Sequence, residues 1–234
     1  MNVARTLRER LRAEMSQEIK AAARRQLAEQ GAAALSLRAV ARELGLASSA
    51  LYRYFKSRDD LLTALIIDAY DSLGQVAEEA EATIDRKDLF GRWLATCRTV
   101  RRWALEHPHE YALIYGSPVP GYRAPDATIV PATRIPLLLA QIVKEGVEQH
   151  MLYLLDLPPI DVRSGAAVAL LSQSMVAGGA EQVILRGLMA WIEIFGAVSF
   201  ELFGHLHNVV SDYEAFFDTV VQTMATFVGL RSQD

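Results

Sequence analysis

Apolar residues recur about every three to four positions along most of this chain, and this period is the feature that most constrains its fold. The last clear stripe is formed by Tyr213, Phe216, Phe217, Val220, Val221, Met224 and Phe227. Such spacing puts apolar side chains on one face of an α-helix, whereas the alternation typical of β-strands is scarce here. We therefore predict an all-α fold.

Glycine and serine residues mark the ends of the first two helices. A helix from about residue 6 to 30 ends at Gly31. A short helix from about 37 to 44 follows, with Ser36 at its N-cap and Gly45 after it. The N-terminus therefore begins with one long and one short helix.

Two further serines start the next helices. Ser48 is placed to cap a third helix that carries Leu51 and Phe55 inward. Ser57 is placed to cap a fourth helix, from about 58 to 82, which is long enough to leave the small N-terminal unit and enter the rest of the protein. The sequence offers no flexible linker here, so we expect this helix to join the two parts.

Prolines and glycines divide the rest of the chain. We predict helices over about 87–106, 128–153 and 212–228, with a break at His107-Pro108 and an ordered loop over residues 116–125. The C-terminal part is therefore expected to be a helical bundle.

The segment from Ser164 to Gly204 is poor in charge and rich in glycine and alanine. Only four charged residues lie between residues 164 and 210. Small residues let helices approach closely, and large apolar residues among them need a partner surface. We predict a four-helix interface between two copies of the chain, with two helices from each around a two-fold axis. A single-chain core that uses every helix face is the alternative.

Composition bounds the class of protein. The 234 residues are 51% hydrophobic, enough to bury a core in one large or two smaller domains. The first two dozen residues are charged every few positions, unlike a secretion signal, and the longest charge-free run is shorter than a membrane span. We expect a cytoplasmic protein that does not enter a membrane.

Cys97 is the single cysteine of the chain. We expect this residue to lie in the core rather than to act as a redox sensor.

Charge is unevenly distributed along the chain. Residues 1–60 carry 12 Lys and Arg against 7 Asp and Glu, a balance of +5. Residues 61–234 carry 12 against 21, a balance of −9. The net charge of −4 therefore hides a basic contact end attached to an acidic body.

Motifs of catalysis, nucleotide binding and metal binding are missing from the sequence. The chain has no GxSxG elbow, no GxxxxGK[ST] loop and no GxGxxG. The acidic and histidine residues of 106–110 lack the HExxH spacing that brings two metal ligands to one helix face, and His205 and His207 stand apart from them. We expect no enzyme activity, no metal and no cofactor.

Residues 36–55 have the spacing of a helix-turn-helix. Two short helices are joined by a turn that contains Gly45. The second is rich in small polar and aromatic residues, as suits a helix that enters the major groove of DNA. An ordinary helical hairpin has the same spacing and is the alternative.

The residues themselves favour DNA binding. The run SLRAVARELGLASSALYRYFKSRDDLL, residues 36–62, resembles without gaps the DNA-binding region of the tetracycline-repressor (TetR) family of transcription regulators. Ser49, Tyr54 and Arg58 stand where that family often has glycine, histidine and lysine. These departures keep the chemistry of phosphate contact, while a serine in place of glycine restricts the approach of the backbone.

The resemblance implies a role for each matching position. Phosphate contacts, which set the register on DNA without reading its sequence, are implied for Ser36, Tyr54, Lys56 and Arg58. A groove-facing set is implied for Ser48, Ser49, Ala50, Tyr52 and Arg53. In that set Arg53 pairs with a guanine, Ala50 touches a thymine methyl, and Tyr52 contacts either a base or a phosphate. Residues 1–56 are then a three-helix DNA-binding domain, and residues 57–234 a ligand-binding and dimerisation domain.

A second resemblance covers the body of the chain. Residues 103–125, WALEHPHEYALIYGSPVPGYRAP, resemble the Trp-His-Gly (WHG) type of TetR C-terminal domain, which implies a ligand site and a homodimer. Large aromatic faces with polar tips are the usual lining of a site for an apolar ligand. We predict that this lining is formed by Trp103, His107, Tyr111, Tyr115 and Tyr122. A plain core, with His107 at a helix end, is the alternative.

The two resemblances together imply a repressor. It binds a palindromic operator in double-stranded DNA as a homodimer and is released by a small, largely apolar effector. The alternatives with the same fold are an activator and a regulator that has no effector. A helical enzyme or transport protein with a merely structural N-terminal motif is the alternative from another class.

Overall fold

The computed structural model describes residues 3–153 and 181–232, and these ranges contain α-helices, two short 3₁₀ turns and loops, with no strand. The helices are α1 (Val3–Gln30), α2 (Leu37–Glu43), α3 (Ser48–Leu51), α4 (Arg58–Ala82), α5 (Leu89–Glu106), α6 (Pro108–Tyr115), α7 (Ile129–Glu148), α8 (Glu181–Leu202) and α9 (Tyr213–Phe227). The predicted all-α fold is confirmed. Residues 164–180 of the predicted interface lie outside the described residues.

The chain divides into two compact units. The first comprises Met1–Asp71 and His107–Ala132, and the second comprises Ser72–Glu106 and Thr133–Asp234. Helix α4 therefore contributes to both units. The functional boundary after residue 56 stays a prediction.

The first unit is built on the apolar faces of α1, α2, α3 and the start of α4. Its buried cluster consists of Ile19, Ala22, Ala23, Leu27, Leu35, Leu37, Val40, Ala41, Leu51, Leu61, Leu62, Leu65 and Ile66. Those on the helices recur three or four positions apart, as expected from the sequence, because this spacing puts side chains on one face of a helix.

Helix ends in the first unit agree with two of the three predicted serine caps. The Ala39 amide donates to Ser36 Oγ at 3.5 Å, and the Asp60 amide donates to Ser57 Oγ at 3.0 Å. The prediction for Ser48 is wrong: Ala47 is the N-cap, and Ser48 is the first residue of α3. The turn from Gly45, which has φ +65°, reaches extended backbone at Ala47 and starts the helix one residue early.

The second unit packs α5 against α8 and α9, which also pack on each other. Trp93 lies in its centre, 1% exposed, and its indole Nε1 donates to the Val221 carbonyl at 3.1 Å. Cys97 is buried nearby on α5, and burial raises the pKa of its thiol. A thiol that stays protonated is unreactive, which supports the prediction of a core cysteine.

A buried ionic network holds three helices of the second unit together. The Arg92 side chain, which is fully buried on α5, donates to Glu81 of α4 and Glu145 of α7. Arg86 joins both carboxylates from the surface. Burial opposes the charge on Glu145, but the hydrogen bonds from Arg92 and Gln141 outweigh it and leave the pKa of Glu145 below its ordinary value.

Replacing Arg92 with leucine is expected to destabilise the protein by about 3–5 kcal/mol, because two carboxylates then remain at a buried site without their main partner. Thermal unfolding followed by circular dichroism measures this as a fall in the melting temperature. The control is Arg98→Leu, which removes an ion pair between Arg98 and Asp218. The Arg98 side chain is 49% exposed. That change is expected to cost at most about 1 kcal/mol. Equal losses in both variants would contradict the importance of the buried network.

Candidate nucleic-acid interface

Most of the side chains predicted to contact DNA reach solvent at α3 and the residues just after it. Those of Ser48, Ser49, Tyr52, Arg53 and Lys56 are exposed. The remaining four are half-buried, namely Ser36, Ala50, Tyr54 and Arg58. The structure thus brings the groove-facing set together on one short segment, residues 48–56, which we name the reading segment after its predicted role, while Ser36 lies at the start of α2.

This segment is anchored from beneath by apolar residues. Leu51 is fully buried, and Phe55 is half-buried and packs against the cluster of the first unit. Both agree with the prediction that they point inward. The amides of Tyr54 and Phe55 donate to the Leu51 carbonyl at 2.9 and 3.1 Å, which continues the turn beyond the end of α3. The exposed side chains therefore stand on a backbone held at a buried leucine.

Arg58 has a structural role that the sequence reasoning missed. Its guanidinium donates to the carbonyls of Leu35, Ala32 and Ala33 at 3.1, 2.9 and 3.2 Å. These carbonyls belong to a 3₁₀ turn, Ala32–Ala34, and the residue after it. A signal was present in the sequence, because the run Ala32–Leu35 has no polar side chains to satisfy its own backbone. Arg58 therefore joins the start of α4 to the connection between α1 and α2.

Several cations of the basic N-terminal part are already paired within the first unit. Lys20 and Arg24 of α1 both contact Asp68 at 2.7 Å, and Arg25 contacts Glu43 of α2 at 2.6 Å. The balance of +5 in residues 1–60 therefore overstates the charge available to DNA.

Three other arginines extend the basic surface near α3. Arg38 and Arg42 of α2 are exposed, and neither was among the predicted contacts. Arg12 donates to the Arg53 carbonyl at 3.5 Å, so the first turns of α1 come close to the end of the reading segment. Their position was not predictable from the helical period, which gives the face of a residue but not its neighbours in space.

The five residues predicted to bind a ligand lie in both units. Tyr111 is fully buried in the first unit, where the Tyr111 and Tyr115 ring centres are 5.1 Å apart. His107 is the N-cap residue of α6, and Tyr122 shares a hydrogen bond of 2.9 Å with Thr63.

Trp103 is the fifth of these residues and belongs to the second unit. It is 3% exposed and donates from Nε1 to Ser72 Oγ at 3.0 Å. A ligand role for the five residues stays a prediction.

A tyrosine cluster lies within the first unit beside two of the predicted residues. Tyr70 meets Tyr115 edge to face, with ring centres 5.8 Å apart, and its hydroxyl donates to the Ile114 carbonyl at 3.2 Å. Burial raises the pKa of both phenols, so they remain neutral donors. Within residues 3–153 and 181–232, no three His, Cys, Asp or Glu side chains are grouped as metal ligands would be.

A short exposed helix of small polar, aromatic and basic residues, held on a compact helical unit by a buried leucine, defines a helix-turn-helix DNA-binding protein. Comparison with known proteins agrees with this class. Residues 19–65 match the family described as bacterial regulatory proteins, tetR family, and residues 93–224 match the tetracyclin repressor-like, C-terminal domain. The chain belongs to the TetR family of transcription regulators.

Individual relatives are similar over most of their length. The HTH-type transcriptional regulator Rv1816 of Mycobacterium tuberculosis is 37% identical over 209 residues, 88% of each chain. The crystal structure of the regulatory protein SCO4313 has a TM-score of 0.75 and 33% identity, covering 93% of this chain and 98% of that one. RolR, solved with resorcinol, shares the fold at a TM-score of 0.53 and 18% identity, covering 95% and 91%.

The family agrees with the expectation that this protein is not an enzyme. Its members are regulators rather than enzymes, in agreement with the absence of catalytic motifs.

Two helical stretches are long and apolar enough to cross a membrane by length and composition, namely Asp126–Glu148 and Gln182–Leu202. The core helices of proteins that do not enter a membrane pass the same test. The description of the C-terminal match does not separate the WHG type from others, so that narrower resemblance stays a prediction.

Arg53→Ala and Lys56→Ala are expected to weaken DNA binding in different ways. Loss of a base-reading arginine relaxes the sequence preference at one position by about 1–3 kcal/mol, whereas loss of a phosphate contact weakens all sequences alike. Gel-shift titrations on operator and random DNA at several salt concentrations measure both effects. Equal losses on both DNAs for the two variants would contradict the assignment.

Arg58→Ala is expected to destabilise the protein without any DNA present, by about 2 kcal/mol, because three hydrogen bonds from a charged donor are lost. The measurement is the thermal unfolding midpoint, with the exposed Lys56→Ala as a control that leaves it unchanged. If Arg58→Ala melts like the unmodified protein but binds DNA less tightly, a phosphate contact is its main role instead.

Proposed function

We propose that this regulator is a repressor that binds a palindromic operator as a homodimer and is released by a small effector. The observation that carries the proposal is the reading segment at α3, where five polar or basic side chains are exposed around a buried leucine. An exposed polar and basic surface on a short helix suits the major groove, which admits an α-helix.

Each part of this surface has a proposed role. Arg53 pairs with a guanine and Ala50 touches a thymine methyl, because these are the groups whose chemistry matches those bases. Ser48 and Ser49 complete the groove-facing set, and Tyr52 contacts a base or a phosphate. Phosphate contacts come from Ser36, Tyr54, Lys56 and Arg58, with exposed Arg38 and Arg42 beside them.

The homodimer is supported by an apolar stripe on α8 and the residue that follows it. Met189, Ile192, Phe200 and Phe203 are 52%, 58%, 54% and 44% exposed. They follow one another at helical spacing, so they share a face. Gly196 lies in the middle of this stripe, and a Cβ added there would meet no atom of the described chain within 4 Å. We propose that this stripe packs against the same stripe of a second copy around a two-fold axis.

A two-fold dimer sets the geometry of the operator. Two reading segments related by the axis would enter successive major grooves on one side of the duplex, about 34–36 Å apart. The two half-sites would then be inverted repeats whose spacing is fixed by the protein.

Control by an effector requires two states of the dimer that differ in operator affinity. A ligand that binds the poorly fitting state more tightly would shift the population away from DNA. Trp103, His107, Tyr111, Tyr115 and Tyr122 remain candidates for its contact, and α4, which contributes to both units, would carry the change. RolR is a protein of this fold that was solved with the ligand resorcinol.

We also propose that the protein is located in the cytoplasm, because its DNA operator lies there.

Ile192→Lys tests the dimer and its operator together. A lysine in the stripe is expected to give a monomer of 25.9 kDa by light scattering and to reduce operator affinity at least about tenfold, because one half-site holds only half of the contacts. The control is Val209→Lys, an exposed apolar residue outside the stripe, which is 76% exposed and should change neither. A monomeric unmodified protein, or a dimeric Ile192→Lys variant, would contradict this interface.

A reporter gene placed behind the operator tests the sign of regulation. Repression predicts that reporter expression falls as the amount of the protein rises, and a rise in reporter expression would show an activator instead.

A further inference from the structure

The second unit contains an apolar cavity that none of the predicted ligand residues line. It lies among α5, α7 and α8 and has a volume of about 260 Å³. Its walls include Trp93 of α5, Leu139 and Val143 of α7, and Ile184 of α8. An apolar cavity of roughly 150 Å³ is already large enough to hold benzene. This one therefore has room for a small molecule with an apolar body.

Two tryptophans line this cavity, and their indole nitrogens differ. Trp93 Nε1 donates to the Val221 carbonyl at 3.1 Å. Trp191 Nε1 is buried and, within the described part of the chain, has no hydrogen-bond acceptor. A buried donor without an acceptor costs free energy, and most such groups in proteins are paired. A ligand oxygen at this position would satisfy it.

The described lining of the cavity carries charge of one sign. Lys144 is the one charged residue among the described residues of the lining, which include no Asp or Glu. Its partner Glu148 lies 3.8 Å away, and both side chains are more than a third exposed. An exposed pair of this kind is weak, so the ammonium still favours an anion in the cavity. Cationic ligands are disfavoured for the same reason.

We propose that this cavity is an effector site for small apolar carboxylic acids. The hydrocarbon body contacts the apolar walls, a carboxylate oxygen accepts the hydrogen bond of Trp191 Nε1, and Lys144 adds attraction for the negative charge. The site is distinct from the five residues predicted from the sequence. Its regulatory consequence rests on the proposed function, while the binding itself does not.

Binding is tested first on the unmodified protein, by calorimetry with decanoate and with decylamine below their micelle concentrations. The two probes have the same hydrocarbon chain and opposite charge, so the proposal requires decanoate to bind at least about tenfold more tightly. Equal affinity, or binding of neither probe because another part of the protein fills the cavity, would overturn it.

A terminally brominated decanoate then locates the site, because bromine quenches the fluorescence of tryptophans that it contacts. Trp93 and Trp191 line the cavity and Trp103 does not. Quenching is expected to be lost in large part in Trp191→Phe. Quenching that is instead abolished by Trp103→Phe would place the ligand among the residues predicted from sequence and overturn the proposal.

Two variants separate the polar contacts from the apolar ones. Trp191→Phe keeps an aromatic ring and removes the donor, so decanoate affinity is expected to fall about tenfold, as for a hydrogen bond to a charged group. Lys144→Met is expected to lower it about threefold at low salt and less at high salt. The control is Lys87→Met, an exposed lysine of the same unit that does not line the cavity. Unchanged affinity in Trp191→Phe, with an unchanged melting temperature, would contradict the proposal.

Gel shifts with saturating decanoate distinguish the site from the proposed control of DNA binding. Binding without any change in operator affinity leaves the cavity as a carboxylic acid site and contradicts its role as the effector site. No binding, with release of the operator by some other small molecule, contradicts the site and leaves the proposed function standing.

Discussion

Helix α3, which we propose reads the DNA, is too short to be stable by itself. Helix α3 has four residues, Ser48–Leu51, whereas isolated helices shorter than about 12–15 residues are marginal in water. Its position is therefore set by contacts outside the helix: Leu51 is buried beneath it, and the amides after it bond to the Leu51 carbonyl. Arg58 in turn holds the connection between α1 and α2. The proposed DNA-contacting surface therefore depends on the core of the first unit for its position.

The second unit is held by a different kind of contact. Arg92 is fully buried, and its two carboxylate partners come from α4 and α7. A buried pair offsets its own desolvation only with good geometry, and removing one partner leaves an uncompensated charge. This network requires Glu81 and Glu145 to stay within hydrogen-bond reach of one guanidinium. The last turn of α4 is therefore fixed in position relative to α5 and α7.

Helix bounds and the reading segment were largely predictable because they depend on local sequence. The period, the Gly45 turn and the Ser36 and Ser57 caps each involve residues a few positions apart. What was not predictable involves partners far apart in the chain. Arg58 reaches carbonyls about 25 positions earlier, and Arg92 meets a glutamate 53 positions later. The apolar cavity depends in the same way on α5, α7 and α8 coming together, which no local pattern specifies.

The cavity and the ionic network share one helix, and this gives the proposed control a physical route. Val143 and Lys144 of α7 line the cavity, while the next residue, Glu145, accepts hydrogen bonds from Arg92. A ligand that moves this turn of α7 therefore acts on the contact that also binds Glu81 in the last turn of α4. Such a movement changes operator affinity only if the ligand prefers one of two states. A hydrogen-bonded ionic network that forms in one arrangement of the helices and breaks in another is an element with two discrete states, which this preference needs.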